Sequence, residues 1–301
     1  MNKSGQKYRG RRLNTEVRTA WGMITPSLIA VFALSIYPLM HTLVLSLSKY
    51  NLIKPKNNGF VGLAQYAEVF ADDKFWHAMR VTGYFVIISL PIQLVLGMLM
   101  ALLLNKDFKG RGVVRALMLT PWAVPNIVNS NLWNWIFNTN YGVLNRLLMQ
   151  FGFTDSPIIW MGNATLAMNM IIIADTWRML PFYCIMFLAG LQAIPSSMYE
   201  ASYIDGANSW KRFFYLTLPS LKPIILSVLI MRTTQLFKVF DIIYMMTKGG
   251  PADGTKAISF YIYEKAFSSL NYGYASCLAT IVGLITMFIA FIYMKVIKTE
   301  A

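Results

Sequence analysis

The chain has 301 residues, of which 56% are hydrophobic and only 13% charged, with a formal net charge of +14 and a mean hydropathy of +0.49. Soluble domains carry about 25% charged residues, so a water-facing globular surface is excluded and the apolar surplus is read as lipid-facing. The basic excess does not indicate nucleic-acid binding, because it comes with no zinc or recognition-helix pattern.

Six stretches approach the roughly 20 apolar residues that a helix needs to cross a hydrocarbon core. A backbone in lipid must satisfy its own hydrogen bonds, so the fold class is all-α: a polytopic membrane protein with six transmembrane helices. A basic tail, residues 1–20, opens with MNKSGQKYRGRR and leads into the first span, 21–47. That apolar run is far longer than the roughly 7–15 residues of a signal-peptide core, and no small-residue cleavage site follows a short one. It is read as a retained span, the start of a transmembrane domain over 21–298. The second span, 81–104, ends at the loop NKDFKGRGVVR, whose Lys106, Lys109, Arg111 and Arg115 mark it as cytoplasmic by the positive-inside rule. The third span, 117–137, and the fourth, 166–190, are interrupted by Asn, Pro and Asp; the fifth is 224–246 and the sixth 275–297. Lys and Arg are denser in the tail, in 105–116, in 191–222 and after Met294 than in the outer loops 48–80, 138–164 and 247–273. Both termini are therefore expected in the cytoplasm of a multi-pass cell-membrane protein. Cys184 and Cys277 fall inside spans four and six, without metal spacing or a disulfide context, and are read as small packing residues. His41 and His77 are too few and too separate for a metal or catalytic cluster, so an intramembrane enzyme is not supported.

Between spans four and five lies EASYIDGANSWKRFFYLTLP, Glu200 to Pro219, too polar and too short to cross and longer than the roughly 2–8 residues of a simple connector. Ser196 or Ser197 is the expected N-cap of a short helix over Glu200–Ile204. Gly206 supplies a turn or a close approach. Ser209 to Leu218 is a second helix, ended by Pro219 and Pro223. The spacing Glu200-Ala201-Ser202, three residues, Gly206, nine residues, Leu216-Thr217-Leu218-Pro219 resembles the signature loop of permease subunits in ATP-binding-cassette (ABC) importers, with Ser202 for Ala and Leu216 for Ile. LQAIPSSMYEASYIDGA looks like the carbohydrate-uptake branch, and TKGGPADGT and WNWIFNTNYGVLNRLL look like the maltose-type subunit.

The resemblance implies a maltose-type permease fold with a coupling loop at about 191–222, paired with a second, homologous permease subunit. It implies two cytoplasmic ABC ATPase subunits, which hold ATP and Mg, and an extracytoplasmic solute-binding protein. The chain itself has no Gly-x4-Gly-Lys-Ser/Thr loop to cradle phosphates, and no cofactor of its own is expected. Glu200, Ala201, Ser202, Asp205, Gly206, Ala207, Leu218 and Pro219 match the ATPase-coupling loop.

Polar groups inside spans are costly in lipid and usually face a cavity. Span three carries Asn126 and Asn129; span four Asp175, Trp177 and Arg178; span five Arg232, Gln235, Lys238 and Asp241. The maltose-type resemblance places substrate contacts at Asp175, Arg178, Met179 and Phe182 on span four and at Gln235, Leu236 and Val239 on span five. The competing expectation is that Asp175–Arg178 and Lys238–Asp241 are neutralising i,i+3 pairs. That expectation is preferred for Asp175 and Arg178, and with it a neutral sugar or oligosaccharide. An anionic ligand such as glycerol phosphate or a uronic-acid oligosaccharide is the alternative, and an ion-coupled secondary transporter is a further one.

Overall fold

The computed structural model describes residues 3–297. The outermost parts of the two expected cytoplasmic termini, 1–2 and 298–301, lie outside the described residues. Helix α1 (Lys3–Val31) runs through a π-helical turn at Phe32–Ile36 into α2 (Tyr37–Ser46). Along this arm the apolar side chains of Trp21, Phe32 and Leu34 are exposed, as lipid-facing or partner-facing groups must be. Its second half, α2, packs against α15 (Tyr272–Val296).

A two-stranded antiparallel ribbon, β1 (Ser48–Lys49) with β2 (Gly59–Phe60), pairs Ser48 with Phe60 and leads to α3 (Ala64–Phe70). The long helix α4 (Asp73–Asn105) starts where the Asp72 carboxylate accepts the Lys74 backbone N–H at 2.9 Å. α5 (Arg111–Ala123), α6 (Asn126–Ile136) and α7 (Val143–Gln150) follow. Arg115 on α5 reaches back to the Leu104 carbonyl at 2.8 Å, satisfying the C-terminal end of α4. The second long helix, α8 (Ala164–Ala193), is capped by Asn163, which accepts the Leu166 N–H at 2.8 Å.

α4 and α8 form the spine of the molecule. They approach so closely at Gly97 that a Cβ there would overlap Tyr183, which explains a glycine in mid-helix despite its cost of roughly 1 kcal/mol relative to Ala. Two apolar clusters flank this crossing. One holds Phe75, Phe85, Ile171, Ile243, Ile258 and Leu278. The other holds Met98, Leu104, Phe187, Leu191 and Leu221. Cys184 and Cys277 are buried and free, one in each cluster.

Among the described residues, four helices are long and apolar enough to cross a membrane: Val17–Ser46, Asp73–Asn105, Ala164–Ala193 and Tyr272–Val296. A fifth results if Ser209–Ser220 and Lys222–Phe237, bent by 63°, count as one. The expected third span is two helices, α5 and α6. Pro125 cannot donate to the preceding turn and holds Val124 extended at ψ 125°, so the helix breaks between them. The expected fifth span also divides, into α12 (Lys222–Phe237) and α13 (Asp241–Met246), with Lys238, Val239 and Phe240 outside helical order.

Candidate functional site: a polar cavity and an exposed hairpin

The two broken helices meet. α6 packs on α13, and both lie beside α8. Asn126, at the start of α6, donates from Nδ2 to Asp241 Oδ2 at 3.0 Å and joins the first residues of the two half-helices. Asn134, one face along, donates to the Met245 carbonyl at 3.1 Å. Where these ends converge on α8 and α12 there is a cavity of about 350 Å³, within the range of about 300–1,000 Å³ of small-molecule sites.

Eight of the pathway residues expected from sequence line it: Asn126, Asp175, Arg178, Met179, Gln235, Leu236, Val239 and Asp241. Three do not. Asn129 is buried and donates to the Ala174 carbonyl at 3.4 Å. Trp177 turns its ring edge-on to Trp133, 6.0 Å between centroids, on a different face of α8. Phe182 lies behind Trp122, which lines the cavity in its place. A step of one residue turns a helical side chain by about 100°, which takes Trp177 off the wall that Arg178 lines, while Phe182 lies one turn further along that face.

Arg232, named in the sequence only as one polar group of span five, also lines the cavity. Its guanidinium is 3% exposed. Nε donates to Tyr183 Oη at 3.2 Å, Nη1 to Gln235 Oε1 at 2.7 Å, and Nη2 to Gln93 Oε1 at 2.9 Å and Asp175 Oδ2 at 3.1 Å. Gln93 also donates from Nε2 to Asp175 Oδ2 at 2.9 Å and accepts from Tyr183 at 2.9 Å. This network ties α4, α8 and α12 at one depth. Gln93 and Tyr183 were missed because each stands alone in an apolar run; the only signal was the cost of burying an amide in lipid, which requires a partner.

Of the two expected i,i+3 pairs, Asp175–Arg178 is present as a loose ion pair and Lys238–Asp241 is not. Arg178 approaches Asp175 Oδ1 only to 3.9 Å, outside hydrogen-bond range, while Arg232 holds the other oxygen. Lys238 and Asp241 form no ion pair: the turn between α12 and α13 breaks the helical register that their spacing assumed.

At the other end of α8 stands the hairpin. α9 (Ser196–Ile204) begins four residues before the expected Glu200, and its N-cap is Pro195 with no side-chain bond, so neither serine caps it. Pro195 blocks continuation from α8, and the serines then fall inside the first helical turn. Gly206 turns the chain at φ +71°. Asn208 caps α10 (Ser209–Arg212) by accepting the Lys211 N–H at 2.8 Å. A π-helical stretch, Phe213–Thr217, then passes into α11 (Leu218–Ser220), which contains Pro219; the bend into α12 falls at Leu221, two residues later than expected.

Thr217 pairs with Tyr199 at 3.1 Å, and the Arg212 guanidinium lies 3.7 Å from the Tyr203 ring centroid, so the two arms hold each other. Glu200, Ala201, Asp205 and Gly206 are exposed, Ser202 turns its hydroxyl to the Tyr199 carbonyl at 2.6 Å, Ala207 is half-buried beside the turn, and Leu218 and Pro219 are half-buried at the base. Ile204 is 88% exposed, Tyr215 83% and Trp210 72%. Large apolar side chains this exposed on a hairpin mark an interaction surface.

A family model described as "Binding-protein-dependent transport system inner membrane component" matches residues 93–299. The chain is 39% identical over 281 residues to the trehalose/maltose transport system permease protein MalF of Thermococcus litoralis, covering 93% of this chain and 94% of that one. It is 35% identical over 278 residues to the sulfoquinovosyl glycerol transport system permease protein SmoG of Agrobacterium fabrum, covering 92% and 90%. In fold it resembles a chain in the crystal structure of a bacterial ABC transporter involved in import of the acidic polysaccharide alginate. That likeness has a TM-score of 0.81 at 21% identity and covers 95% of this chain and 98% of that one. A second structure of an alginate transporter, in complex with an alginate pentasaccharide-bound periplasmic protein, gives a TM-score of 0.81 at 20% identity, covering 96% and 100%.

Proposed function

The chain belongs to the binding-protein-dependent transport system inner membrane component family, and on that premise we propose that it forms half of the translocation pathway of an ATP-driven importer for a sugar or oligosaccharide. It is a membrane permease subunit and not an ATPase. The observation that carries the coupling role is the exposed hairpin, Ser196 to Ser220, with the ABC-importer spacing at its turn and exposed Ile204, Trp210 and Tyr215 around it. Its occupant is a cytoplasmic ABC ATPase that binds ATP and Mg; Glu200 and Asp205 offer charge contacts, and Gly206 lets the turn dock. Closure of two such ATPases moves the hairpin as a rigid body and rocks the spans about the cavity.

The carbohydrate assignment draws support from the two relatives, named for trehalose/maltose and for sulfoquinovosyl glycerol. The cavity suits it chemically, since Trp122 offers an aromatic face beside Asn126, Gln235 and Asp241 as hydrogen-bonding groups. Six crossings are part of the proposal: α5 with α6 makes the third and α12 with α13 the fifth, each broken where it borders the cavity. Non-helical backbone at membrane depth is tolerated where it lines a cavity. Both termini then lie in the cytoplasm, a second homologous permease covers the open side, and an extracytoplasmic binding protein delivers the cargo.

The test is reconstitution of the chain with its partner permease, ATPases and binding protein in proteoliposomes. Uptake of a carbohydrate that requires both ATP and the binding protein is expected. Uptake by the chain alone, driven by a proton or sodium gradient, would overturn the proposal in favour of a secondary transporter.

A further inference from the structure

Helix α8 borders a second recess besides the polar cavity. It lies between α4, α5 and α8, measures about 330 Å³, and is walled by Met100, Leu117, Pro121, Trp177 and Leu180. Through Met100 and Val114 it is continuous with a further recess of about 460 Å³, which runs beside the end of α4 past Leu103 and Leu104 to Lys106 and Phe108. Trp177 and Leu180, which do not line the polar cavity, form the far end of this groove. From Val114 to Pro121 the groove follows α5 for about 10 Å, most of the roughly 15 Å of hydrocarbon in one leaflet. Leu103, Val114 and Leu117 are exposed along it. At membrane depth such a recess excludes water, and left unfilled it forfeits the dispersion contacts of its lining. Hydrocarbon fills it on both counts.

The mouth of the groove is cationic. Residues 106–115 carry Lys106, Lys109, Arg111 and Arg115 against Asp107 alone. Arg111 pairs with Asp107 at 2.5 Å, and Arg115 donates to the Leu104 carbonyl at 2.8 Å. Lys106 and Lys109 are exposed and have no partner among the described residues. An apolar groove that ends at two free ammonium groups has the polarity of an anionic amphiphile, with its chain inward and its head at the rim. Basic pockets between membrane helices at the cytoplasmic side take anionic head groups, at about 1 kcal/mol for each Lys or Arg near the surface.

We propose that this groove binds one anionic phospholipid of the cytoplasmic leaflet. An acyl chain lies along α5 between Met100 and Trp177, and Lys106 and Lys109 hold the phosphate by charge-assisted hydrogen bonds. The leaflet rests on placing residues 105–116 at the cytoplasmic face; the site itself does not depend on what the polar cavity carries.

The experiment uses the full-length chain, purified with the subunits that accompany it and stripped of lipid in detergent. It is titrated with palmitoyl-oleoyl phosphatidylglycerol or phosphatidylcholine, and bound lipid is counted by native mass spectrometry. One phosphatidylglycerol should bind about tenfold to thirtyfold more tightly than phosphatidylcholine. Lys106→Gln/Lys109→Gln should abolish that preference while the melting temperature of the lipid-free protein stays unchanged. Val114→Trp, which fills the groove where its two halves join, should weaken both lipids at least about tenfold. A large excess of inorganic phosphate should not displace the lipid.

Equal affinity of the unmodified protein for the two lipids overturns the proposal. So does a double lysine variant that keeps the preference, and so does a folded Val114→Trp variant that binds both lipids as before. Displacement of phosphatidylglycerol by inorganic phosphate marks a free-anion site without an acyl chain and overturns it too. Where Val114→Trp fails to fold, a phosphatidylglycerol with a diazirine in its acyl chain decides. Adducts within 100–121 or 177–181 support the groove, and adducts only elsewhere, a partner subunit included, refute it. None of these readouts uses transport, so failure of the importer to carry a carbohydrate is a separate result.

Discussion

The two ends of the molecule answer their own polar and apolar groups very differently. At the end opposite the hairpin, the segment from Asp241 to Tyr274 closes on the rest of the chain. Asp72 accepts hydrogen bonds from Tyr261 at 2.5 Å and Tyr274 at 2.7 Å, so it joins the start of α4 to α14 (Ile258–Tyr263) and α15. Thr82 accepts the Ile258 N–H at 2.8 Å. Lys256 bridges Asp253 at 3.0 Å and Glu264 at 2.9 Å, and Lys265 lies about as close to the Tyr261 ring as to the Tyr274 ring, 5.1 and 5.0 Å. The hairpin has internal bonds at its base, but its tip shows Ile204, Trp210 and Tyr215 to solvent. The first end is finished within one chain and serves as scaffold. The second leaves large apolar side chains exposed, as the ATPase-docking surface proposed above would.

The sharpest way to break this contrast is Gly206→Val. At φ +71° a branched residue is strained, by roughly 1–2 kcal/mol, yet nothing in the chain lies within 4 Å of the position. Transport by the assembled importer should fall at least about a hundredfold, equivalent to a coupling loss of about 2.7 kcal/mol, while the chain still inserts and assembles. Normal substrate-stimulated ATP turnover in that variant would show that the turn is not the coupling element.

Asp72→Ala probes the finished end. It removes the acceptor of two tyrosine hydroxyls and the cap of α4. Hydrogen bonds to charged groups are worth about 1.5–3 kcal/mol each and Asp72 is partly exposed, so a loss of about 2 kcal/mol is expected. Chemical unfolding of the complex in detergent measures it, and a change below about 0.5 kcal/mol would mean that the outer closure is not structural.

Trp210→Ala sharpens the other side. The ring stacks on Phe214 alone, with centroids 6.1 Å apart and planes 11° from parallel. Stability of the chain should shift by no more than about 0.5 kcal/mol, and co-purification of the ATPase should weaken. A strong destabilisation with ATPase binding intact would reverse the assignment of this face.

The smallest effect expected is on pH. Burial pushes the Asp72 carboxyl up, but the hydrogen bonds from Tyr261, Tyr274 and the Lys74 N–H, with the Lys265 charge, hold it below its ordinary value. A carboxylate depressed in the folded state adds stability that is complete above its unfolded value of about 3.9 and is lost as pH falls through the lower, folded one. Hydrogen exchange over 256–271 should therefore accelerate only below about pH 4. Lys256 behaves with the opposite sign. Burial lowers its pKa, but Glu264 and Asp253 raise it overall, so its contribution is present below about pH 10.4 and fades above the folded value. Loosening of the same segment at neutral pH would contradict both assignments.

The sequence by itself determined the solvent and the place of the hairpin, and it set the expected topology. Charge scarcity, apolar length and Lys/Arg placement are additive along the chain, and so are spacings such as Glu200 to Gly206. It also located most of the cavity, because an ionisable group in a lipid-length run has few places to face. Tertiary structure decided the pairing. Asp175 keeps the near partner that sequence spacing favoured, Arg178, at 3.9 Å, but the approach of α12 to α8 brought Arg232, fifty-seven residues away, closer still, to 3.1 Å. The break at Lys238 to Phe240 likewise separated Lys238 from Asp241. A salt bridge depends on a distance between helices. That distance is set by packing, such as the contact of Gly97 with Tyr183, and no periodicity within one helix contains it.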